Sequence, residues 1–252
     1  MQYDIVSEHL GLPVEDGTMG AYLARPTAPG RYPGVIVGFE MFGLTSYIRN
    51  MTERIAQLGY VAIAPDFYHR VAPGIELAAS PEGRSRGFEL LEQVTRPGVL
   101  SDLRAAITYL RDSMGTSPKT GMVGFSFGGH IAYFAATQLD LAATAAFYPG
   151  WLPTTDIALS RPEPTLSLAP GIAKHDGRLL ILVGDQDHAV SADQTRRIGE
   201  ELSAADVRHE LVVYPGTPHG FACDERDTFR PAVAEDAWRR VGALLAAELS
   251  AG

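Results

Sequence analysis

A serine lies between two glycines at the junction of an apolar run and a helix-like segment. Residues 121–123 are apolar, residues 124–128 read Gly-Phe-Ser-Phe-Gly, and residues 129–137 have the composition of a helix. A serine at a sharp strand-to-helix turn takes a strained conformation, and its neighbours must be small because a β-carbon there would clash with the adjoining elements. The pattern therefore predicts a strand that turns abruptly into a helix and exposes the Ser126 hydroxyl. Small residues also surround serines in ordinary turns, so this prediction needs support from elsewhere in the chain.

Short apolar runs alternate with amphipathic segments along the chain, which is typical of a parallel sheet covered by helices on both faces. An antiparallel pair is predicted first, at residues 3–7 and 20–24, around a Gly-rich turn. An irregular stretch containing Pro73, Gly74 and Pro81 follows the second parallel strand. The other strands are predicted at 35–39, 61–64, near 123, at 143–148, near 180 and near 211, and the helices at 48–58, 99–114, 129–137, 191–204 and 231–249. We expect residues 1–252 to form one α/β domain, because no long Pro, Gly or Ser linker divides them.

Composition narrows the function classes. The net charge of −9 without a basic block argues against nucleic acid and anionic lipid as partners. No run approaches the roughly 18 apolar residues of a membrane span, and the first ten residues contain no apolar signal core. Cys223 is the only cysteine, which fits a reducing cytoplasm. The seven histidines are scattered without metal-ligand spacing, so we expect no metal or other cofactor. The sequence favours no particular oligomeric state.

Two further residues supply what a serine nucleophile needs, because a hydroxyl is weak until a base takes its proton and an acid orients that base. An apolar strand candidate ends in Gly-Asp-Gln-Asp, and its spacing favours Asp187 as the acid, with Asp185 as the alternative. The next strand candidate is followed by a Pro- and Gly-rich loop that contains His219, our candidate base. His188 adjoins the acid, and we expect it to face solvent. The three chosen residues all follow apolar strands, where open α/β sheets place their ligand crevice.

Acyl transfer at a serine also requires hydrogen-bond donors for the oxyanion. One is usually the backbone N–H after the nucleophile, which is Phe127 here. The second is expected from the loop after the third strand, where the Met41 amide is the natural candidate. Glu40 directly precedes it and would repel a developing oxyanion unless it is paired. Glu40 either lies in the same crevice or faces solvent or caps a helix, and the sequence leaves both open.

The chain resembles the dienelactone hydrolase family of α/β-hydrolases over nearly its whole length. The resemblance rests on the segments FEMFG (39–43), APDFY (64–68), APG (72–74), DLRAAI (102–107) and GFSFGG (124–129), and on the Asp187 and His219 loops. It implies an α/β-hydrolase fold with a mostly parallel central sheet. It also implies that Ser126, Asp187 and His219 act together, that Glu40 hydrogen-bonds near the nucleophile, and that Met41 and Phe127 provide the oxyanion donors.

This sequence departs from the family pattern in the nucleophile and in the substrate pocket. The best-known members carry cysteine at the elbow, and Ser126 cannot be held as a stable anion near neutral pH, so His219 must deprotonate it in the transition state. Cys223 stands where dienelactone-binding members have an arginine, four residues after the histidine. A second carboxylate-binding arginine is retained as Arg84, although Arg84 could equally be a surface residue, and Phe88 replaces an aromatic hydroxyl.

These features predict a cofactor-independent serine hydrolase that cleaves a small ester or lactone through an acyl-enzyme. The expected pocket is apolar, and its candidate walls, each of which could instead belong to the core, are Phe42, Phe88, Phe125, Tyr148, Trp151 and Phe221. A thioesterase or acyltransferase could use the same nucleophile, and a binding protein could retain the fold without catalysis.

Overall fold

A computed structural model, which describes residues 2–250, contains one continuous eight-stranded sheet. The strands lie in the order β1-β2-β4-β3-β5-β6-β7-β8. They span Ile5–Val14 (β1), Gly17–Pro26 (β2), Gly34–Gly38 (β3), Val61–Pro65 (β4), Thr120–Phe125 (β5), Ala143–Phe147 (β6), Arg178–Gln186 (β7) and His209–Pro218 (β8). The helices span Ser46–Gln57 (α1), Pro81–Leu91 (α2), Arg96–Asp112 (α3), Phe127–Gln138 (α4), Pro170–His175 (α5), Ala192–Ala204 (α6) and Pro231–Leu249 (α7).

The first two strands form an antiparallel hairpin that is longer than the sequence pattern predicted. Val14 pairs with Gly17 across a two-residue turn, and the ladder continues to the pair of Ile5 with Pro26. The left-handed backbone that closes the turn falls on Gly17, with φ of 143°, a conformation that glycine adopts without steric cost. The strands are longer than predicted because Gly11 and Gly20, which were expected to belong to or adjoin the turn, pair with each other within the ladder.

Strands β3 to β8 run parallel, and helices cover both faces of the sheet. Alternate residues of β7 show the two layers. Leu180 and Leu182 face the core that contains Trp238 of α7, whereas the neighbouring residues Leu179 and Ile181 pack in a second cluster with α4 and α6. A strand buried on both faces reads as a continuous apolar run, which is why the sequence predicted β7 so clearly.

Helix α2 was missed in the sequence, where the stretch around Pro81 was expected to be irregular. Pro81 begins the helix, and Ser80 caps it by accepting a hydrogen bond from the Gly83 amide (3.1 Å). Glycine lowers helix propensity, so Gly83 and Gly87 hid the helical pattern. Both positions need glycine for packing, since a β-carbon at Gly87 would lie 2.9 Å from the Met41 carbonyl oxygen. Helix α2 thus packs directly against the loop that follows β3.

No helix within residues 2–250 combines the length and the apolar character that crossing a bilayer requires.

Candidate active site

Ser126 sits at the junction of β5 and α4 with a left-handed backbone, at φ of 53° and ψ of −111°. A non-glycine residue in this region is strained, and such strain persists only where the surrounding structure enforces it. The enforcement comes from close backbone packing. A β-carbon at Gly124 would lie 2.0 Å from the Gly128 carbonyl oxygen, and one at Gly128 would lie 2.2 Å from the Gly38 backbone. The small residues around Ser126 therefore allow α4 to approach β3 and β5.

The structure brings Ser126, His219 and Asp187 into one hydrogen-bonded chain. The His219 Nε2 atom lies 2.9 Å from the Ser126 Oγ atom. On the other side of the ring, Nδ1 lies 2.8 Å from Oδ2 and 3.0 Å from Oδ1 of Asp187. A carboxylate can only accept, so Nδ1 carries the proton and Nε2 is free to accept the serine proton. This is the tautomer that a general base requires.

Asp187 is fixed by its own loop. Its Oδ1 atom also accepts hydrogen bonds from the amides of Ala189 (2.7 Å) and Val190 (3.0 Å), and its side chain is fully buried. The alternative acid, Asp185, is exposed and lies 3.4 Å from the Thr217 amide through Oδ1. The geometry thus selects Asp187 over Asp185 as the partner of the imidazole.

His188 is exposed, as expected, but it also belongs to the cavity rim. Its ring centroid lies 5.4 Å from that of His219 in an edge-to-face arrangement. The sequence pattern indicated exposure but not this proximity, because it did not fix the direction of the loop.

The two amides expected to bind an oxyanion are available. Phe127 is the first residue of α4, so its N–H has no intrahelical acceptor. Within residues 2–250, no acceptor lies in hydrogen-bonding reach of the Met41 N–H. Met41 also lines the cavity that contains Ser126 and His219. Both amides are therefore free to donate to a ligand at Ser126.

Glu40 is buried and forms an ion pair, which rules out the expectation that it faces solvent or caps a helix. Its Oε1 atom accepts from Nη1 of Arg226 (3.2 Å), and its Oε2 atom accepts from Nη2 of the same guanidinium. The guanidinium also lies over the Phe42 ring, 4.8 Å from its centroid. Burial is the largest single effect and lowers the pKa of Arg226, but the charges of Glu40, Cys223 and Tyr148 and the Glu40 hydrogen bond together exceed it, so the pKa is raised.

Arg226 corrects the expectation of a pocket without a second arginine near His219. The position four residues after the histidine, where the second arginine was expected, holds Cys223, which is buried. Arg226 follows three residues later in the same loop and lines the cavity. Its only sequence signal is an arginine in the loop that carries the candidate base, and such a signal does not fix where the side chain points.

The cavity above Ser126 has a volume of about 770 Å³ and mixed walls. Of the predicted substrate-binding residues, Arg84, Phe42, Phe88 and Trp151 line it. The Phe88 ring is half-exposed and packs edge-to-face against Trp151, with centroids 6.1 Å apart. Arg84 donates to the Ala79 carbonyl (3.2 Å) and forms no ion pair within residues 2–250. Of the two arginines in the cavity wall, Arg226 is therefore neutralised by Glu40, and Arg84 remains free to bind an anion.

Tyr148, Phe221 and Phe125 are not on the cavity wall, contrary to expectation. All three are fully buried. Tyr148 packs behind the imidazole of His219, with ring centroids 4.7 Å apart, and Phe221 packs against Tyr148. Tyr148 and Phe221 support His219 from the core side, whereas Phe125 packs against Phe147 deeper in the core, with centroids 4.8 Å apart. Sequence alone did not separate core aromatics from cavity aromatics, since it does not fix the direction of a side chain.

The residue before Trp151 is hydrogen-bonded to a buried histidine, His130 of α4. The Nδ1–H group of His130 donates to the Gly150 carbonyl (2.8 Å), which leaves Nε2 to accept from the Thr165 hydroxyl (2.7 Å). Burial lowers the pKa of His130 to about 4. The ring is therefore neutral at physiological pH and anchors the turn next to Trp151, whose own φ is 62°. His130 is therefore a packing residue and not a second base.

No group of three or more histidine, cysteine, aspartate or glutamate side chains in the described range is arranged to hold a metal ion.

Similarity to known proteins agrees with the geometry. The family model for the dienelactone hydrolase family matches residues 19–249. The chain belongs to the dienelactone hydrolase family. This match, together with the sheet described above, confirms the predicted family and α/β-hydrolase fold.

Similar proteins match most of the chain. A Synechocystis sp. protein, named provisionally as a carboxymethylenebutenolidase, is 39% identical over 254 residues, covering 99% of this chain and 100% of the relative. A Bradyrhizobium sp. relative, named provisionally as 2-oxo-3-(5-oxofuran-2-ylidene)propanoate lactonase, is 30% identical and covers 89% of each chain. The crystal structure of a provisionally named dienelactone hydrolase from Klebsiella pneumoniae has a TM-score of 0.87 at 31% identity, covering 96% of this chain and 99% of its own.

Proposed function

We propose that this chain is a serine hydrolase that cleaves a small lactone or ester through an acyl-enzyme. The observation that carries the proposal is the hydrogen-bonded series from Ser126 Oγ through the His219 ring to the Asp187 carboxylate. The named activities of its relatives, a carboxymethylenebutenolidase and a lactonase, are of the same reaction class.

In the proposed reaction, the Ser126 oxygen attacks the substrate carbonyl while His219 Nε2 takes the hydroxyl proton. The carbonyl electrons move to its oxygen, and the Met41 and Phe127 amides donate hydrogen bonds to that oxyanion. As the carbonyl re-forms, the bond to the leaving oxygen breaks and His219 returns the proton to it. Asp187 stabilises the imidazolium in between. Water, deprotonated by His219, then attacks the acyl-enzyme and releases the acid and Ser126.

We assign Glu40 a role in binding and positioning, not in proton removal. Its carboxylate is occupied by the Arg226 guanidinium, and His219 already holds the acceptor nitrogen within 2.9 Å of the serine. A serine needs its base only in the transition state, so a second carboxylate to generate a stable anion is unnecessary. Glu40 instead neutralises Arg226 and so limits the positive charge on the cavity wall.

We further propose that the preferred substrate carries a carboxylate that contacts Arg84. This guanidinium lines the cavity and forms no ion pair within residues 2–250, whereas Arg226 is engaged by Glu40. An arginine pairs with a carboxylate through two parallel hydrogen bonds, which would orient the lactone ring towards Ser126.

We also propose that residues 1–252 form one cytoplasmic domain, supported by the continuous sheet and the single cysteine.

The test of this function is hydrolysis of paired lactones that differ only in a carboxylate. We expect turnover by the wild type, labelling of Ser126 by a fluorophosphonate probe, and a loss of at least about three powers of ten in kcat for Ser126→Ala. Retention of most activity in Ser126→Ala would refute the assignment of the nucleophile. Absence of both turnover and labelling in the wild type would favour a binding protein.

The carboxylate contact has a matched control on the same helix. Arg84→Gln is expected to lower kcat/KM by about tenfold for the carboxylate-bearing lactone, which is about 1.4 kcal/mol, and to leave the neutral lactone unchanged. Arg86→Gln removes a guanidinium that pairs with Glu89 at the surface, and should change neither substrate. Equal losses with both lactones in Arg84→Gln would exclude this contact.

A further inference from the structure

The loop that follows β3, residues 40–43, is called the oxyanion loop below, and it is fixed through its carbonyl groups. The Glu40 carbonyl accepts from the Gly43 amide (3.2 Å), and the Phe42 carbonyl accepts from the Leu77 amide (2.9 Å). Between them, the Met41 carbonyl accepts from the hydroxyl of Tyr68 (3.1 Å). The carbonyl oxygens of the loop are thus engaged, and a side chain outside the loop holds the central one. Met41 itself lines the cavity, and its N–H has no acceptor within residues 2–250.

Tyr68 also contacts the other expected oxyanion donor. Its ring lies nearly parallel to the ring of Phe127, at an interplanar angle of 14° and a centroid distance of 6.4 Å. On another side it packs against Phe39, with centroids 4.9 Å apart. Tyr68 is fully buried, and burial together with the Asp66 charge raises the pKa of its phenol, so the hydroxyl remains a donor. One rigid side chain therefore touches the residues that contribute both amides.

The backbone of Tyr68 is itself anchored. Asp66 is buried at the end of β4, and its Oδ1 atom accepts from the Tyr68 amide (3.0 Å) while Oδ2 accepts from the Gly74 amide (2.7 Å). The Asp66 amide in turn donates to the Gly20 carbonyl of β2 (2.8 Å). The phenol is thus connected to the sheet at one end and to the oxyanion loop at the other, which leaves it little freedom to shift.

We propose that Tyr68 is a positioning residue that sets the spacing of the Met41 and Phe127 amides for the oxyanion. This inference rests on the proposed function, because it concerns the stabilisation of a tetrahedral intermediate at Ser126. Donors held at a fixed place act where charge develops and cost no reorganisation during the reaction. Loss of the Tyr68 hydroxyl should therefore weaken binding of the transition state and leave binding of the uncharged ground state unchanged.

Tyr133 offers a matched control for the removal of a buried hydroxyl. It is also fully buried, burial also raises its pKa, and its hydroxyl donates to the Leu166 carbonyl at the same distance of 3.1 Å. Tyr133→Phe and Tyr68→Phe each remove one buried hydrogen bond to a carbonyl, but the Leu166 carbonyl keeps a second donor in the Ala169 amide (3.1 Å). Tyr68→Phe should therefore lower the urea midpoint at least as much as Tyr133→Phe. Only Tyr68 contacts the oxyanion loop, so the two variants should differ in catalysis.

The experiment measures kcat and KM for p-nitrophenyl butyrate and inhibition by phenylboronic acid, which forms a tetrahedral adduct on the serine oxygen. For Tyr68→Phe we expect kcat to fall about five- to twentyfold, less than the loss of a whole oxyanion donor, with KM within twofold of the wild type. The inhibition constant should rise by the same factor as kcat falls. Tyr133→Phe should leave kcat and inhibition within twofold.

Equal kcat values for Tyr68→Phe and Tyr133→Phe would overturn the proposal, as would a loss confined to KM. If Tyr68→Phe does not fold, 4-aminophenylalanine at position 68 provides the test, since it keeps a donor in the para position. Wild-type kcat in that variant supports the proposal, and a tenfold loss with a native fold contradicts it. An inactive wild type would instead refute the proposed hydrolase function, so the two failures are distinguishable.

Discussion

The buried neutral ring of His130 predicts that the protein loses stability in mild acid. Burial lowers the pKa of His130 from its usual 6.5 to about 4 in the folded protein. In the unfolded chain the ring takes up a proton as the pH falls through 6.5, while in the folded protein it does so only near 4. Unfolding therefore binds a proton in this window, and the free energy of unfolding falls as the pH falls.

The size of the effect follows from the difference between the two pKa values. One pKa unit corresponds to about 1.4 kcal/mol, so the full loss below pH 4 is about 3 kcal/mol. At pH 5 most of it is already present, about 2 kcal/mol relative to pH 7.5. Such a loss is a large fraction of the stability of an ordinary domain, which is about 5–15 kcal/mol.

The measurement is urea unfolding of the wild type and of His130→Gln between pH 7.5 and 5, followed by circular dichroism and by tryptophan fluorescence. Glutamine does not titrate, so the variant should lose about 2 kcal/mol less than the wild type over this range. Other titrating groups contribute equally to both proteins and cancel in the comparison. An identical pH dependence of the two proteins, within about 0.5 kcal/mol, would refute the buried neutral state of the ring.

Two further predictions concern packing and charge near Ser126. Gly128→Ala places a β-carbon 2.2 Å from the Gly38 backbone and should lower the free energy of unfolding by about 3 kcal/mol, measured by thermal or urea unfolding. The control Gly242→Ala on α7, where nothing lies within 4 Å, should raise it by up to about 1 kcal/mol. Similar changes in both variants would contradict the close approach of α4 to the sheet. Glu40→Gln and Arg226→Met should each cost about 1–3 kcal/mol singly, while the double variant should recover at least about 1 kcal/mol of the sum. A coupling energy below about 0.3 kcal/mol would show that the ion pair does not form in solution.

The sequence predicted the Ser126, Asp187 and His219 convergence because each residue directly follows a parallel strand. Strands of this kind end at a common edge of the sheet, so the positions of their following residues are constrained by topology alone. The sequence also predicted the sharp turn from β5 to α4 at Ser126, since only small residues permit the close contact of Gly128 with Gly38. These inferences needed no knowledge of how loops fold.

The parts of the site that depend on loop conformation were not predictable. Arg226 reaches Glu40 through a segment without a regular pattern, and the sequence gives no indication of its direction. Tyr148, at the end of the strand predicted at 143–148, was a candidate for the cavity wall or the core, and it lies in the core behind His219 with φ of 39°. Helix α2 was hidden because the same glycines that let it pack against Met41 lower its helix propensity.

The half-exposed position of Phe88 on α2 has a practical consequence for changing selectivity. In the proposed reaction, the reacting residues Ser126, Asp187 and His219 follow the ends of β5, β7 and β8, whereas Phe88 and Arg84 lie on a helix outside the sheet. Combinatorial libraries at these two sites could therefore reshape the entrance without disturbing the strained serine. Substitutions confined to α2 would then change substrate preference while Ser126, Asp187 and His219 remain as they are.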